Sequence, residues 1–180
     1  MATKDTLFLD RDGVINVQLT NDYVKNTSEL VLREDFLKAL PLLTQSFKRF
    51  IIITNQQGIA KGICTADAVS EVHDHLRHEL ANRGMKIDAI YVCPHLAGSG
   101  CLCRKPALGM FHQALSDFPD IDIAHSVMIG DSLSDMIFGH AAGLETVFIG
   151  NVTPENHADV SANSQHIVPS VYEYAINLQA

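Results

Sequence analysis

The chain is 180 residues long, 47% hydrophobic and 19% charged, with a formal charge of −8, a size able to bury a sizeable core. That charge argues against a nucleic-acid backbone as main partner, which needs a basic surface, and no apolar run approaches the roughly 18 residues that cross a bilayer. The N-terminus lacks a secretory apolar region and three of the four cysteines crowd between 93 and 103 beside a histidine, so a reducing, cytoplasmic compartment is expected.

The first apolar run, 7–9, reads as a buried strand and ends in Asp10-Arg11-Asp12-Gly13. A strand points residues i and i+2 the same way, so two carboxylates at its end can reach one bound group, and Gly13 frees the backbone to turn away. One carboxylate can attack while the other moves protons; taken alone, the stretch reads equally as a solvated acidic turn. Helical patterning over 34–46 precedes a second strand, 50–54. There Thr54 and Asn55 place a hydroxyl, an amide and loop N–H groups where phosphate oxygens can be gripped, or where an Asx-type turn closes the strand. A helix is expected over 66–83, started by Thr65 with Asp67 and stopped at Gly84. Its His73, His75 and His78 read as surface positions.

A third strand, 89–92, runs into Cys93-Pro94-His95, followed by Cys101-Leu102-Cys103. Three thiolates and one imidazole make a closed tetrahedral set for structural Zn²⁺, with no open position for catalysis; the bland alternative is buried free thiols with one satisfied histidine. Cys64 stands outside this pattern as a core or loop thiol. The zinc loop leads into Arg104-Lys105-Pro106, where Lys105 can neutralise phosphate charge or sit in a solvated basic turn. Pro106 suits the first position of a helix over 107–117.

The strand 126–129 ends in Gly130-Asp131 and is followed by a helix over 133–142 that Gly143 closes. Asp131 could join Asp10 in holding Mg²⁺, a hard cation that takes oxygen ligands, or cap the helix. Asp135, one turn on, could hold Lys105 or neighbouring loops. Strands at 146–149 and 167–168 and a helix over 170–178 complete the pattern, with the polar stretch 153–164 read as loop. Apolar strands alternating with helices imply a parallel sheet covered on both faces, in one domain spanning 1–180. Ligands of such sheets sit beyond the carboxyl ends of the strands, where Asp10, Thr54, Asn55, Cys93 and Asp131 all fall.

Four of these stretches, Asp-x-Asp-Gly, Thr-Asn, Lys-Pro and Gly-Asp-x-x-x-Asp in that order, resemble the motifs of the haloacid dehalogenase superfamily of phosphatases over about residues 6–150. The resemblance implies a Rossmann-like α/β fold with Asp10 as nucleophile and Asp12 as general acid/base. It makes Thr54 and Lys105 phosphate binders and Asp131 a Mg²⁺ ligand beside Asp10 and the main-chain carbonyl of Asp12. The chemistry asks for the same set, because a phosphate dianion and a carboxylate cluster repel unless cations compensate. Asp10 would form an aspartyl-phosphate. Asp12, initially protonated, would give its proton to the departing alkoxide and then take one from water.

A zinc loop just before Arg-Lys-Pro narrows the resemblance to the branch of heptose bisphosphate and histidinol-phosphate phosphatases. Residues 10–16, Tyr23-Val24 and 54–62 look like the heptose enzymes, whereas five residues between His95 and Cys101 look like the histidinol-phosphate ones. Ser132 and Ala107 depart from basic residues usual in both. The gaps between motifs leave no room for a separate cap domain, so loops 15–27, 56–64 and 94–104 should set specificity. Arg104 is the candidate for contacting substrate beyond its scissile phosphate, with Asn16, Gln56 and Lys61 behind it. The expectation is a monomeric, Mg²⁺-dependent phosphomonoesterase of carbohydrate metabolism acting on D-glycero-D-manno-heptose 1,7-bisphosphate, with histidinol phosphate as the alternative substrate. A zinc-braced binding domain that has lost catalysis is the reading from another class, and it has no need of both carboxylates.

Overall fold

The computed structural model describes residues 3–179; Met1, Ala2 and Ala180, at the ends of the expected domain, lie outside the described residues. Six strands form one parallel sheet: β1 (Lys4–Leu9), β2 (Phe47–Asn55), β3 (Ala89–Cys93), β4 (Val127–Gly130), β5 (Glu145–Ile149) and β6 (His166–Val168). Their spatial order is β3-β2-β1-β4-β5-β6. The helices are α1 (Glu34–Ser46), α2 (Ala66–Ala81), α3 (Gly109–Asp117), α4 (Leu133–Ala141), α5 (His157–Asn163) and α6 (Val171–Asn177). Because helices cover both faces, the runs Leu7–Leu9, Phe50–Ile53 and Val127–Ile129 are apolar throughout, yet their successive residues face different cores. Leu7, Leu9, Ile52, Val127 and Ile129 pack with Phe36 and Leu43 of α1, Leu76 of α2 and Val171 of α6. Phe8, Ile51, Ile53 and Met128 meet Met110 and Phe111 of α3 and Phe138 of α4. Each such side chain contributes about 1.5–3 kcal/mol when fully buried.

Three local expectations need correction. His73 is not on the surface: it is 6% exposed and belongs to the inward stripe Val69, Val72, Leu76 and Leu80 of α2. The stretch read as loop at 153–164 contains α5, whose Val160 is buried against Met136 and Phe148; seven residues with one buried apolar position show no helical period. Helix α3 starts at Gly109 behind Leu108, so Pro106 does not occupy its first position, and the Lys105–Pro106 peptide is cis.

The chain leaves β1 toward β2 and β3 on one side and returns to β4, β5 and β6 on the other. That reversal opens a crevice between the carboxyl ends of β1 and β4, the place where open α/β sheets bind ligands. The Asp10 N–H donates to the Ile129 carbonyl at 3.0 Å, holding the two strand ends together. Between Asp12 and Thr54 the described chain is a loop, a short 3₁₀ turn at Thr27–Glu29, α1 and β2, so no second body stands over the crevice. Among the described residues no helix is long and apolar enough to cross a membrane.

Candidate active site

Asp10 leaves the end of β1 and meets a lysine from the loop before α3. The Lys105 ammonium is 2.7 Å from Asp10 Oδ1, 2.6 Å from Asp135 Oδ1 and 2.7 Å from the Ile53 carbonyl oxygen. It is 3% exposed. Burial alone would lower its pKa, but Asp10 and Asp135 outweigh that and raise it. Asp135 also accepts the N–H and hydroxyl of Ser132, the N-cap of α4, at 3.1 and 2.6 Å. The expected hold of Asp135 on Lys105 is therefore present, and Ser132 rather than Asp131 caps the helix.

Carboxylate oxygens of Asp10, Asp131 and Asp135 lie within 4.8 Å of one another. Burial, and then the neighbouring carboxylates against the pull of Lys105, pushes Asp10 up to about 8. Burial and Asp135 bring Asp131 to about 6. One lysine leaves this set short of positive charge. An all-oxygen cluster with excess negative charge is the donor set that suits a hard divalent cation.

Asp12 lines the same cavity as Asp10 but its carboxylate bonds to a different set of groups. Arg11 Nη2 donates to both Asp12 oxygens at 2.9 Å, Asn16 Nδ2 donates at 2.9 Å and Gln56 Nε2 at 2.8 Å. Burial would raise the Asp12 pKa, yet these donors hold it below the ordinary carboxylate value. The expectation that Asp12 begins protonated is not met in this arrangement, because everything around it donates. Asn16 and Gln56, expected to reach substrate, are both buried and engaged by Asp12 instead. Arg11, the middle residue of the Asp-x-Asp motif, is a functional group that sequence reasoning missed.

Thr54 is 1% exposed and its hydroxyl accepts from Gln56 Nε2 at 2.9 Å, so it lies beneath the cavity rather than on its wall. Asn55 clasps the Lys105 main chain with both amide atoms, accepting its N–H at 3.0 Å and donating to its carbonyl at 3.2 Å. The cavity above has a volume of about 570 Å³ and takes its walls from all three expected loops, including Asn21 and Tyr23, Gln57 and Lys61, and Arg104. Lys61 Nζ donates to the Tyr23 hydroxyl at 3.0 Å, joining two of the loops. Gln57 accepts the Ala97 N–H at 3.3 Å, joining the third.

Cys93, His95, Cys101 and Cys103 converge at the end of β3 with ligand atoms within 4.8 Å of one another. Cys101 Sγ is 3.7 Å from both Cys93 and Cys103, and Cys93 and Cys103 are 3.1 Å apart. A tetrahedron of sulfurs about 2.3 Å from a zinc ion has edges of about 3.8 Å, which the two longer distances match, and all three are far from a disulfide. His95 Nδ1, 3.1 Å from Cys103 Sγ, supplies the fourth corner.

A HAD-hydrolase-like family model matches residues 102–174. The chain is 37% identical over 175 residues to the D-glycero-alpha-D-manno-heptose-1,7-bisphosphate 7-phosphatase of Mycobacterium tuberculosis strain H37Rv, covering 94% of this chain and 89% of that protein. It is 37% identical over 137 residues to the D-glycero-beta-D-manno-heptose-1,7-bisphosphate 7-phosphatase of Bordetella bronchiseptica, covering 76% of this chain and 75% of that one. The crystal structure of D,D-heptose 1,7-bisphosphate phosphatase from B. bronchiseptica, complexed with magnesium and phosphate, matches with a TM-score of 0.82 at 30% identity, covering 97% of this chain and 98% of that chain.

Proposed function

The chain belongs to the haloacid dehalogenase-like phosphatases, and from that premise we propose that it hydrolyses D-glycero-D-manno-heptose 1,7-bisphosphate through an aspartyl-phosphate on Asp10. The observation that carries this reading is the Asp10–Lys105 contact of 2.7 Å at the β1/β4 crevice, beneath an open cavity of about 570 Å³. Lys105 holds Oδ1 of the nucleophile and leaves Oδ2 without a protein partner among the described residues.

Attack by Asp10 on phosphorus breaks the bond to the sugar oxygen, and Asp12 gives that oxygen its proton. A phosphate dianion entering beside Asp12 raises the carboxylate's proton affinity, since like charge disfavours ionisation, and Asp12 takes the proton it later gives from solvent as the substrate binds. Water then attacks the acyl phosphate while Asp12 takes its proton, and free phosphate leaves. Asp10, Asp131 and the Asp12 carbonyl would hold Mg²⁺, which when bound supplies the positive charge that three carboxylates and a phosphate together lack. Lys105 holds the phosphate end, with Asn55 acting through the Lys105 backbone and Thr54 acting from beneath the cavity through Gln56, and Arg104 faces the rest of the sugar. Cys93, His95, Cys101 and Cys103 would hold Zn²⁺ as a brace for the loop that delivers Arg104 and Lys105. The unpaired thiols support a reducing, cytoplasmic setting, and a sugar-phosphate substrate would put the reaction within carbohydrate metabolism.

Phosphate release is measured on heptose 1,7-bisphosphate, other sugar phosphates and histidinol phosphate, with Mg²⁺ and with EDTA. Mg²⁺-dependent turnover of the heptose bisphosphate, abolished by Asp10→Asn, is expected. No turnover of any of them by folded protein overturns the enzymatic reading, and a preference for histidinol phosphate overturns the substrate.

A further inference from the structure

Arg11 is completely buried, an expensive place for a guanidinium unless its donors are satisfied. Its Nη2 spans both Asp12 oxygens at 2.9 Å and its Nε reaches Oδ1 at 3.3 Å. On the other side, Nη1 lies 2.9 Å from His73 Nε2. Arginine can only donate, so Nε2 must be bare and the imidazole neutral. Burial, and then the facing guanidinium, brings His73 down to about 3.

The two amides that also serve Asp12 are weaker fixtures. Asn16 Oδ1 and Gln56 Oε1 are buried without hydrogen-bond partners. An amide rotated by half a turn would present an acceptor to the carboxylate and release it. The Arg11 fork has no acceptor face to present, and its far end is pinned on α2, an element packed into the core.

We propose that Arg11 and His73 are positioning residues for Asp12: the neutral imidazole pins the guanidinium fork, and the fork fixes the carboxylate that works on the leaving oxygen. The inference rests on the reading of Asp12 as acid/base. A bracing role confined to stability would weaken all turnover alike, whereas a misplaced acid weakens only those reactions whose leaving group needs a proton.

The test compares two substrates in single turnover with enzyme in excess: a sugar phosphate, whose alkoxide must be protonated, and 4-nitrophenyl phosphate, whose phenolate departs unaided. His73→Leu removes the acceptor, and His73→Gln keeps one. His73→Leu is expected to slow transfer from the sugar phosphate at least about tenfold, with release of nitrophenolate and the half-saturating concentration changed by no more than about twofold. His73→Gln should recover most of that loss. Equal slowing on both substrates by folded His73→Leu, or no slowing on either, overturns the proposal. Where His73→Leu does not fold, Arg11→Lys, which keeps the charge and loses the fork, is read by the same outcomes. Asp12→Asn tests the underlying reading: equal slowing on both substrates there removes the acid role itself. If Asp12→Asn discriminates between the substrates and the His73 and Arg11 variants do not, only the positioning inference falls.

Discussion

The Asp131 carboxylate fills the space that a side chain on Gly13 would need: a Cβ built there would lie 1.8 Å from Asp131 Oδ2. Gly13 also has φ +86, a conformation that L side chains rarely adopt. The second carboxylate of the metal-type cluster is thus seated directly on the turn that ends the first motif. Gly13→Ala should strain the backbone and drive Asp131 off its position. Activity should fall at least about tenfold, and the Mg²⁺ concentration for half-maximal rate should rise. An alanine variant with wild-type Mg²⁺ dependence would show that Asp131 is free to move.

Lys105 is the buried cation within the acidic cluster, and its removal leaves the buried Asp135 carboxylate without its counter-charge. Lys105→Met should abolish phosphate release and cost about 3–5 kcal/mol of stability at neutral pH, as expected for breaking a buried ion pair. Acidification should return part of that stability by protonating the carboxylates. Denaturant titrations at neutral and acid pH read this directly, and equal losses at both would contradict it.

The acidic cluster also sets a pH dependence whose sign follows from its raised pKa values. In the folded protein Asp10 titrates near 8 and Asp131 near 6, both above the ordinary 3.8. Their contribution to stability is complete below about 4 and is lost as pH rises through those folded values. His73 acts in the opposite direction, since its folded value of about 3 lies below 6.5: its contribution is complete above 6.5 and is lost as pH falls. Above 6.5 His73 is neutral in both states, so the window up to about 8 belongs mainly to Asp10. Metal-free protein should lose at most about 1.4 kcal/mol per pH unit there, and saturating Mg²⁺ should flatten the slope. A flat profile without metal would contradict the cluster's electrostatics.

Cys103 shares the cysteine–histidine cluster and stands two residues before Lys105. Cys103→Ser should lower bound zinc from about one ion per chain, the number a single four-ligand site takes. It should also lower the melting temperature and, by loosening the loop, the rate of phosphate release. Unchanged zinc content and melting would remove the brace.

The positions along the chain were legible because they depend on local rules. Asp10 and Asp131 each follow a short apolar run closed by a loop, and the spacing of Cys93, His95, Cys101 and Cys103 already has the form of a metal loop. His73 was legible too, since it shares the inward stripe of Val69, Val72, Leu76 and Leu80, but its polarity suggested surface. Helix α5 was hidden by shortness, with Val160 its one buried residue.

By itself, then, the sequence determined which strand ends carry carboxylates, a lysine and thiolates, because alternating apolar runs and turn residues are read within a few positions. Only the tertiary structure decided where each group faces. β1 ends at Leu9, so strand alternation does not govern Asp12. Its carboxylate instead follows Arg11, Asn16 and Gln56, while His73 comes from a helix 62 residues away from Arg11. Asp131 bends over Gly13 for the same kind of reason: it packs against a backbone brought beside it by strand pairing. Donors, charges and volumes from distant segments fix these orientations, and no local period encodes them.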